Sequence, residues 1–279
     1  MLINLKQILV GTCEGKRAIG SFNVYSLETI LGVINAAKKA QKPAIISFGA
    51  SYLTNMSLKM VYSIVKESAE GAGVDLALHL DHCQSIDIIK EAIEAGFTSV
   101  MYDGSALDFE ENVKNTKHVC QMSHAKNVSV EAELGSLALG EFSNETDIDH
   151  GESYTKPLKA REFVERTGVD ALAVSIGTVH GMYKAKPNIR VDILKEIANQ
   201  IDIPLVLHGG SGTPEEKILE CIENGICKIN VNTEISQYTV GKLAELLQAE
   251  PNMHLSKLSL IATDYVSEVV YKYIKLFSN

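Results

Sequence analysis

The sequence has no tryptophan, four arginines and no long apolar run. The arginines (Arg17, Arg161, Arg166 and Arg190) do not cluster and the net charge is −9, so no basic surface is available to neutralise a phosphate backbone. No run approaches the ~18 apolar residues of a membrane span. We therefore expect neither a nucleic-acid partner nor a membrane partner, although backbone amides can still bind a small anion locally.

Cysteine is also scarce. The five cysteines are scattered without a CxxC pair, which argues against a disulfide framework and against a zinc finger. We expect reduced, structural thiols at Cys13, Cys83, Cys120, Cys221 and Cys227. The first residues lack the basic leader and apolar core of a signal peptide, so we expect a cytoplasmic protein.

Apolar residues make up 46% of the 279 residues, enough for one large core, and we expect a single domain over 1–279. Short apolar or β-branched runs alternate with segments of helical period, which is typical of repeated βα units. The eight candidate strands are 18–24, 44–49, 75–82, 98–104, 128–135, 171–178, 204–211 and 228–234.

Eight such units close most simply into a TIM (β/α)₈ barrel, an α/β fold. An open doubly wound sheet is the alternative, but no GxGxxG follows the first strand. The long connections 136–158 and 179–190 are candidate binding loops. Helical segments at 235–249 and 258–277 form an extra C-terminal tail, which could cap the barrel or pack on a neighbouring subunit.

Three histidines follow the third, sixth and seventh candidate strands: His82, His180 and His208. The carboxyl ends of the strands form the active-site face of a TIM barrel. One histidine alone could be an ordinary polar residue, but three at one mouth can supply the nitrogen ligands of a catalytic Zn²⁺ and leave a fourth position open. His79 lies deeper, and we expect it to support the site or belong to the core.

Asp81 precedes His82 directly. Strict strand alternation would place the two side chains on opposite faces, unless the chain turns at the strand end. A carboxylate beside a metal-held substrate is suited to proton transfer. The alternative is that Asp81 orients a ligand histidine through a hydrogen bond.

The motifs HGGSG and NVNT end the last two candidate strands, where TIM barrels often bind phosphate through backbone N–H groups. Glycine allows the backbone to approach an anion closely. The predicted phosphate-binding residues are Gly209, Gly210, Ser211, Asn230, Val231, Asn232 and Thr233.

Five segments together resemble the class II, zinc-dependent ketose-bisphosphate aldolases, the family of fructose- and tagatose-bisphosphate aldolases. These segments are HLDH (79–82), SVEAELG (129–135), TVHGMYKAKPNI (178–189), LVLHGGSG (205–212) and KINVNTE (228–234). The resemblance covers almost the whole chain. It implies a lyase of carbohydrate metabolism and glycolysis that reversibly cleaves a ketose phosphate to dihydroxyacetone phosphate and an aldehyde, on Zn²⁺, as a homodimer or homotetramer.

The resemblance also implies roles for individual residues. Asp81 would be the proton donor at the carbonyl, and Glu141 the mobile acid that takes a proton from dihydroxyacetone phosphate, with Glu145 as a substitute. Further residues implied are Asn23 and Gly181 for substrate binding, and Asp103 and Glu133 for a second divalent, or a monovalent, cation.

The sequence departs from this family in its tail, where related enzymes carry an arginine for the distal phosphate. No arginine follows Arg190, and HLSK (254–257) places Ser256 at that position. Ser47 matches a serine that helps at the same phosphate. We therefore expect an aldehyde other than glyceraldehyde 3-phosphate, unless Lys257, Lys272 or Lys275 compensates.

Lys228 opens the eighth candidate strand at the end opposite to the mouth, so we expect no lysine-based aldol chemistry. Two other functions remain open: a metal-dependent sugar-phosphate isomerase or epimerase, and a non-catalytic sugar-phosphate binding protein. The stereochemistry of the substrate is open as well.

Overall fold

A computed structural model describes residues 1–143 and 153–278. Eight parallel strands close into a barrel in the order β1-β10-β9-β7-β5-β4-β3-β2, which confirms the predicted TIM barrel. Their central residues are buried on both faces, and this explains the nearly continuous apolar runs. The barrel strands are β1 (Ile19–Asn23), β2 (Ala44–Gly49), β3 (Leu76–Cys83), β4 (Ser99–Tyr102), β5 (Ser129–Leu134), β7 (Ala171–Val174), β9 (Leu205–Leu207) and β10 (Ile226–Val231).

Helices surround the barrel, and their ends carry the expected signals. Ser26 caps α2 through a hydrogen bond to the N–H of Thr29, and α4 ends at Gly96 with a positive φ of 111°. The helices are α1 (Leu5–Ile8), α2 (Leu27–Ala40), α3 (Leu58–Ala69), α4 (Ile86–Ala95), α5 (Phe109–His124), α6 (Pro157–Thr167), α7 (Val191–Ala198), α8 (Glu215–Glu223), α9 (Thr233–Ala249) and α10 (Leu255–Phe277).

A two-stranded parallel sheet lies outside the barrel. It pairs β6 (Ala138–Leu139) with β8 (Val179–His180) and joins the two long connections that the sequence marks as candidate binding loops. Glu141 extends this contact, because its backbone exchanges two hydrogen bonds with Met182. This small sheet fixes the backbone that carries His180.

Helix α1 closes the end of the barrel opposite to the mouth. Leu5, Ile8 and Leu9 pack against the inward side chains of Ala171 and Val206. Asn4 caps this short helix and also donates a hydrogen bond to the backbone of Asn127. The barrel is therefore filled with apolar side chains at this end.

The tail of the chain packs on the barrel's outer layer. Gly32 of α2 allows a close approach, since a Cβ atom there would lie 2.5 Å from Val266 of α10. The carbonyl of Phe277 accepts a hydrogen bond from Ala18, just before β1. The far end of the α9–α10 pair leaves several apolar side chains exposed: Val240, Leu247, Leu255 and Leu260.

The expectation that all five thiols are reduced is wrong at one pair. Cys13 and Cys227 form a disulfide with a Cα–Cα distance of 5.5 Å, whereas Cys83, Cys120 and Cys221 are free and buried. The two half-cystines are 214 residues apart in the chain, so spacing could not reveal the pair. In the described ranges, no helix has the length and apolar character needed to cross a bilayer.

Candidate active site

Asp81 and His82 face the same pocket because β3 is distorted at its end. The pairing register between β3 and β4 shifts between Leu80 and Cys83, and His82 has a positive φ of 42°. This left-handed backbone is unusual for a residue other than glycine. It rotates the His82 side chain out of strict alternation and so resolves the conflict in the sequence pattern.

His82, His180 and His208 converge at the mouth of the barrel. One ring nitrogen from each lies within 4.8 Å of the others, and the ring centroids of His82 and His208 are 4.6 Å apart. Nε2 of His180 and Nδ1 of His208 are buried and have no hydrogen-bond partner among the described atoms. Burial lowers the pKa of both residues, so their lone pairs remain available. These three donors fit a tetrahedral Zn²⁺ with one open position.

Carboxylates hold two of the three imidazoles. Nδ1 of His82 lies 2.9 Å from Oδ2 of Asp103, and Nε2 of His208 lies 2.9 Å from Oε1 of Glu131. A hydrogen bond of this kind fixes the ring's tautomer and leaves the opposite nitrogen to a metal. His82 would therefore use Nε2, and His208 would use Nδ1.

Asp81 is buried and held by two amides. Nδ2 of Asn23 donates to its Oδ2 over 2.8 Å, and Nδ2 of Asn230 donates to its Oδ1 over 3.2 Å. Burial alone would raise the pKa of Asp81, but the His82 ring and the Lys228 ammonium outweigh it and hold the pKa well below its usual range. Asp81 is thus a carboxylate at neutral pH, able to accept a proton.

A pocket at the barrel mouth contains most of the predicted substrate-binding residues. Gly209 has a φ of 72°, and a Cβ atom there would lie 2.3 Å from the carbonyl of Val179, so only glycine fits. The predicted residues that line the pocket are Asn23, Gly181, Gly209, Ser211, Asn230, Asn232 and Thr233.

Two of the predicted phosphate-binding residues lie outside this pocket. Val231 is fully buried in the core, and the N–H of Gly210 already donates to the carbonyl of Asn230. Ser211 instead accepts hydrogen bonds from the N–H groups of Asn232 and Glu234, at the start of α9. The amino end of this 17-residue helix therefore faces the pocket, as an anion site requires.

Glu141 does not line the pocket. It lies in the β-bridge to Met182 with an exposed side chain, whereas Ser143, which the sequence did not suggest, does line the pocket. Glu145 falls in 144–152, outside the described residues. The role of Glu141 as the mobile acid stays a prediction.

Asp103 and Glu133 lie beside His82, and the three residues form a second group whose ligand atoms are within 4.8 Å of one another. Oδ1 of Asp103 accepts hydrogen bonds from the N–H and the hydroxyl of Ser105. Oδ2 of Asp103 already has a hydrogen-bond partner in His82. Binding of a second cation by Asp103 and Glu133 stays a prediction.

The side chain of Lys228 reaches further into the barrel than the sequence suggested. Its side chain is fully buried inside the barrel, and Nζ lies 2.8 Å from Oε2 of Glu131 and 2.7 Å from Oδ1 of Asn230. Its backbone lies in the first half of β10, as expected, but its side chain reaches residues beside the site. A lysine within an apolar strand gives no sequence signal of what its flexible side chain reaches.

The residues that the sequence suggests for binding a distal phosphate do not lie together in the structure. Ser47 is fully buried in β2, two residues before the strand end, and its role at a phosphate stays a prediction. Ser256 is exposed and hydrogen-bonded to His254. Nζ of Lys257 lies 3.9 Å from Glu250 and Nζ of Lys272 lies 3.2 Å from Glu215. Neither of these two lysines lines the pocket.

The chain matches the family model described as fructose-bisphosphate aldolase class-II over residues 3–279. It belongs to the class II fructose-bisphosphate aldolase family. It is 40% identical over 265 residues to the protein YdjI of Escherichia coli K12, covering 94% of this chain and 92% of YdjI. It is also 40% identical over 257 residues to fructose-bisphosphate aldolase of Geobacillus stearothermophilus, covering 91% and 88% of the two chains.

The fold agrees with this family. The crystal structure of the YdjI aldolase superposes with a TM-score of 0.88 at 36% identity, over 99% of this chain and 97% of that one. The chain is therefore an enzyme, an aldolase of the class II family and a carbon–carbon lyase.

Proposed function

We propose that this aldolase is zinc-dependent and reversibly cleaves a ketose phosphate into dihydroxyacetone phosphate and an aldehyde. The observation that carries the proposal is the convergence of His82, His180 and His208 beside the buried carboxylate of Asp81. A bound Zn²⁺ supplies the positive charge that stabilises an enediolate. Asp81, oriented by Asn23 and Asn230, accepts the hydroxyl proton during cleavage and returns it during condensation.

The phosphate of the dihydroxyacetone half binds at the amino end of α9. The backbone at Gly181, Gly209 and Ser211 lines that part of the pocket, and the helix end supplies partial positive charge. Pre-formed backbone donors hold the ketose in one orientation, with its reacting carbons toward the three histidines.

The substrate is a ketose 1-phosphate rather than a 1,6-bisphosphate. No arginine follows Arg190 in the sequence, and Lys257 and Lys272 each lie near a carboxylate. Charge-assisted hydrogen bonds from a guanidinium contribute about 1.5–3 kcal/mol each, so their lack weakens recognition of a distal phosphate. Fructose-type and tagatose-type stereochemistry are both compatible with this assignment.

Assays on fructose 1-phosphate, tagatose 1-phosphate and the two bisphosphates, with metal analysis of the same sample, test the proposal. We expect chelation to abolish triose release and Zn²⁺ to restore it, with a higher kcat/KM for a monophosphate. Strong preference for a bisphosphate would contradict the substrate assignment. Isomerised or epimerised ketose without triose products would contradict the cleavage reaction.

The enzyme acts as a homo-oligomer. The support for this assignment is that helices α9 and α10 expose several large apolar side chains, Val240, Leu247, Leu255 and Leu260, and exposed apolar surface can mark an interface. Sedimentation of the purified protein distinguishes a monomer from a dimer or tetramer, and a monomer would contradict it.

A further inference from the structure

Lys228 is a buried cation that contacts two acceptor side chains, Glu131 and Asn230. Its Nζ lies 2.8 Å and 3.1 Å from the two carboxylate oxygens of Glu131 and 2.7 Å from Oδ1 of Asn230. The ammonium donates hydrogen bonds to Oε1 of Glu131 and to Oδ1 of Asn230, and it forms an ion pair with Oε2 of Glu131. Both Lys228 and Glu131 are fully buried.

Stability alone does not explain such a pair. Removing two charges from water is costly, and replacing a buried ion pair with apolar residues of similar volume is often neutral or stabilising. The position of this pair, between a proposed zinc ligand and the proposed proton-transfer residue, suggests another role.

The first contact of Lys228 leads to the metal site. Glu131 accepts a hydrogen bond from Nε2 of His208 on the same oxygen, Oε1, that lies 3.1 Å from Lys228. The ammonium thus helps to hold the carboxylate that accepts from the imidazole. His208 is thereby kept in the tautomer whose Nδ1 faces the other two histidines.

The second contact leads to Asp81. Because Lys228 donates to Oδ1 of Asn230, the amide of Asn230 must direct its NH₂ group toward Asp81, where Nδ2 lies 3.2 Å from Oδ1 of the carboxylate. If the amide flipped, its oxygen would face the carboxylate and repel it. The orientation of Asn230, and through it that of Asp81, therefore depends on the ammonium.

We infer that Lys228 is a positioning residue that orients both His208, through Glu131, and Asp81, through Asn230. The inference rests on the proposed function, since it assigns the zinc ligand and the proton-transfer residue as that proposal does. Lys228 is not one of the residues that line the pocket. One buried cation thus couples the metal ligand to the acid–base group.

The test compares Lys228→Met with the native enzyme and with Lys217→Met, a control that removes a surface lysine paired with Glu220. We expect Lys228→Met to raise the dissociation constant for Zn²⁺ about 10–100-fold and to change the visible spectrum of the Co²⁺-substituted protein. We also expect kcat to fall on the order of 100-fold while KM changes by less than about threefold. Zinc affinity and kcat within about threefold of both the native enzyme and the control would overturn the inference.

A double variant, Lys228→Met with Glu131→Gln, separates positioning from charge neutralisation and also guards against misfolding of the single variant. The neutral amide at position 131 leaves no unpaired carboxylate and can still accept from His208. We expect zinc affinity to stay below the native value, because no ammonium fixes the side chain at position 131 against His208, and kcat to stay low, because Asn230 has lost its donor. Return of kcat to the native level would overturn the inference.

The zinc measurements separate this inference from the proposed function. A native protein that binds zinc but cleaves no ketose phosphate would count against the proposed reaction. The zinc affinities and cobalt spectra of the variants would still decide whether Lys228 orients His208.

Discussion

Nδ1 of His82 lies 2.9 Å from Oδ2 of Asp103, while Oδ1 of the same carboxylate is held by Ser105. Burial alone would raise the pKa of Asp103, but the hydrogen bonds from His82 and Ser105 outweigh it and keep the pKa well below its usual range. Asp103 is thus a permanent acceptor for His82. Asp103 therefore orients His82, the proposed zinc ligand.

Asp103→Ala should therefore weaken Zn²⁺ binding about 10–100-fold, as loss of a carboxylate behind a ligand histidine usually does. Competition with a chromophoric chelator measures the affinity. Ser105→Ala is the matched control, since it removes a donor to the same carboxylate but leaves the bond to His82 intact. Equal affinities of the Asp103 variant and the native enzyme would show that His82 needs no such partner.

Asp81→Asn should lower kcat on the order of 10²- to 10⁴-fold, because an amide cannot accept the hydroxyl proton during cleavage. Zinc content should remain at the native level, since the three histidines are unchanged. Steady-state kinetics on a ketose 1-phosphate and metal analysis of the same sample measure both quantities. Asp87→Asn, an exposed change on α4, is the control. Loss of zinc together with activity would instead assign Asp81 to the metal site.

Gly209→Ala should raise KM for the phosphorylated substrate and lower the free energy of unfolding by about 1–2 kcal/mol. Its positive φ is strained for alanine, and the new Cβ would meet the carbonyl of Val179 at 2.3 Å. Gly241→Ala is the same substitution in α9, where no atom lies within 4 Å of the added Cβ, and it should stabilise the helix by about 0.5–1 kcal/mol. Urea unfolding and kinetics measure both variants, and a native KM for Gly209→Ala would argue against a phosphate at this loop.

The disulfide between Cys13 and Cys227 should contribute about 2–4 kcal/mol to the free energy of unfolding, because it closes a long loop in the unfolded chain. Dithiothreitol should lower the urea midpoint of the native protein but not that of the Cys13→Ser control. Thiol titration of the unfolded, unreduced protein should find the three free cysteines. Five reactive thiols would contradict the disulfide.

The three free thiols should resist modification in the folded enzyme. Burial raises the pKa of Cys83 to about 11 and the pKa values of Cys120 and Cys221 to about 12. Thiolate is the reactive form, so little of it exists at neutral pH. A fast reaction of the native protein with iodoacetamide would show that one of these sites opens.

Acid should destabilise the metal-free protein through Glu131. Burial alone would raise the pKa of this carboxyl, but Lys228 and the hydrogen bond from His208 outweigh it and lower the pKa from its ordinary 4.5 to about 2. A folded pKa below the unfolded one gives stabilisation that is complete above pH 4.5 and is lost as the pH falls toward 2. Urea unfolding across this range measures the loss, and a flat profile would contradict it. Glu223→Gln, an exposed change, should leave the profile unaltered.

The barrel was predictable from the sequence because parallel strands buried on both faces give continuous apolar runs. The strand ends carried His82, His180 and His208, and a barrel brings such ends together. The small sheet of β6 and β8 was missed, since two residues per strand show no periodicity. The pocket-lining position of Ser143 had no sequence signal at all.

Contacts between segments that are distant in the chain were the other feature that could not be predicted from the sequence. The sequence cannot reveal which of the possible partners a buried lysine reaches, so the contacts of the Lys228 side chain with Glu131 and Asn230 were not predicted. The sequence predicted that Asn230 binds substrate, but it could not reveal that the amide of Asn230 also holds Asp81, which lies 149 residues away in the chain. The positive φ of His82 is likewise a property of the folded strand end, and strict alternation hides it.

Helix α1 gives the barrel a single opening, because Leu5, Ile8 and Leu9 fill its other end. The metal and the sugar must therefore enter and leave by the same route. An occupied pocket shields the ion beneath it, so a ketose phosphate should slow the removal of zinc by a chelator. In the proposed enzyme, the ion would thus bind before the substrate and leave after the products.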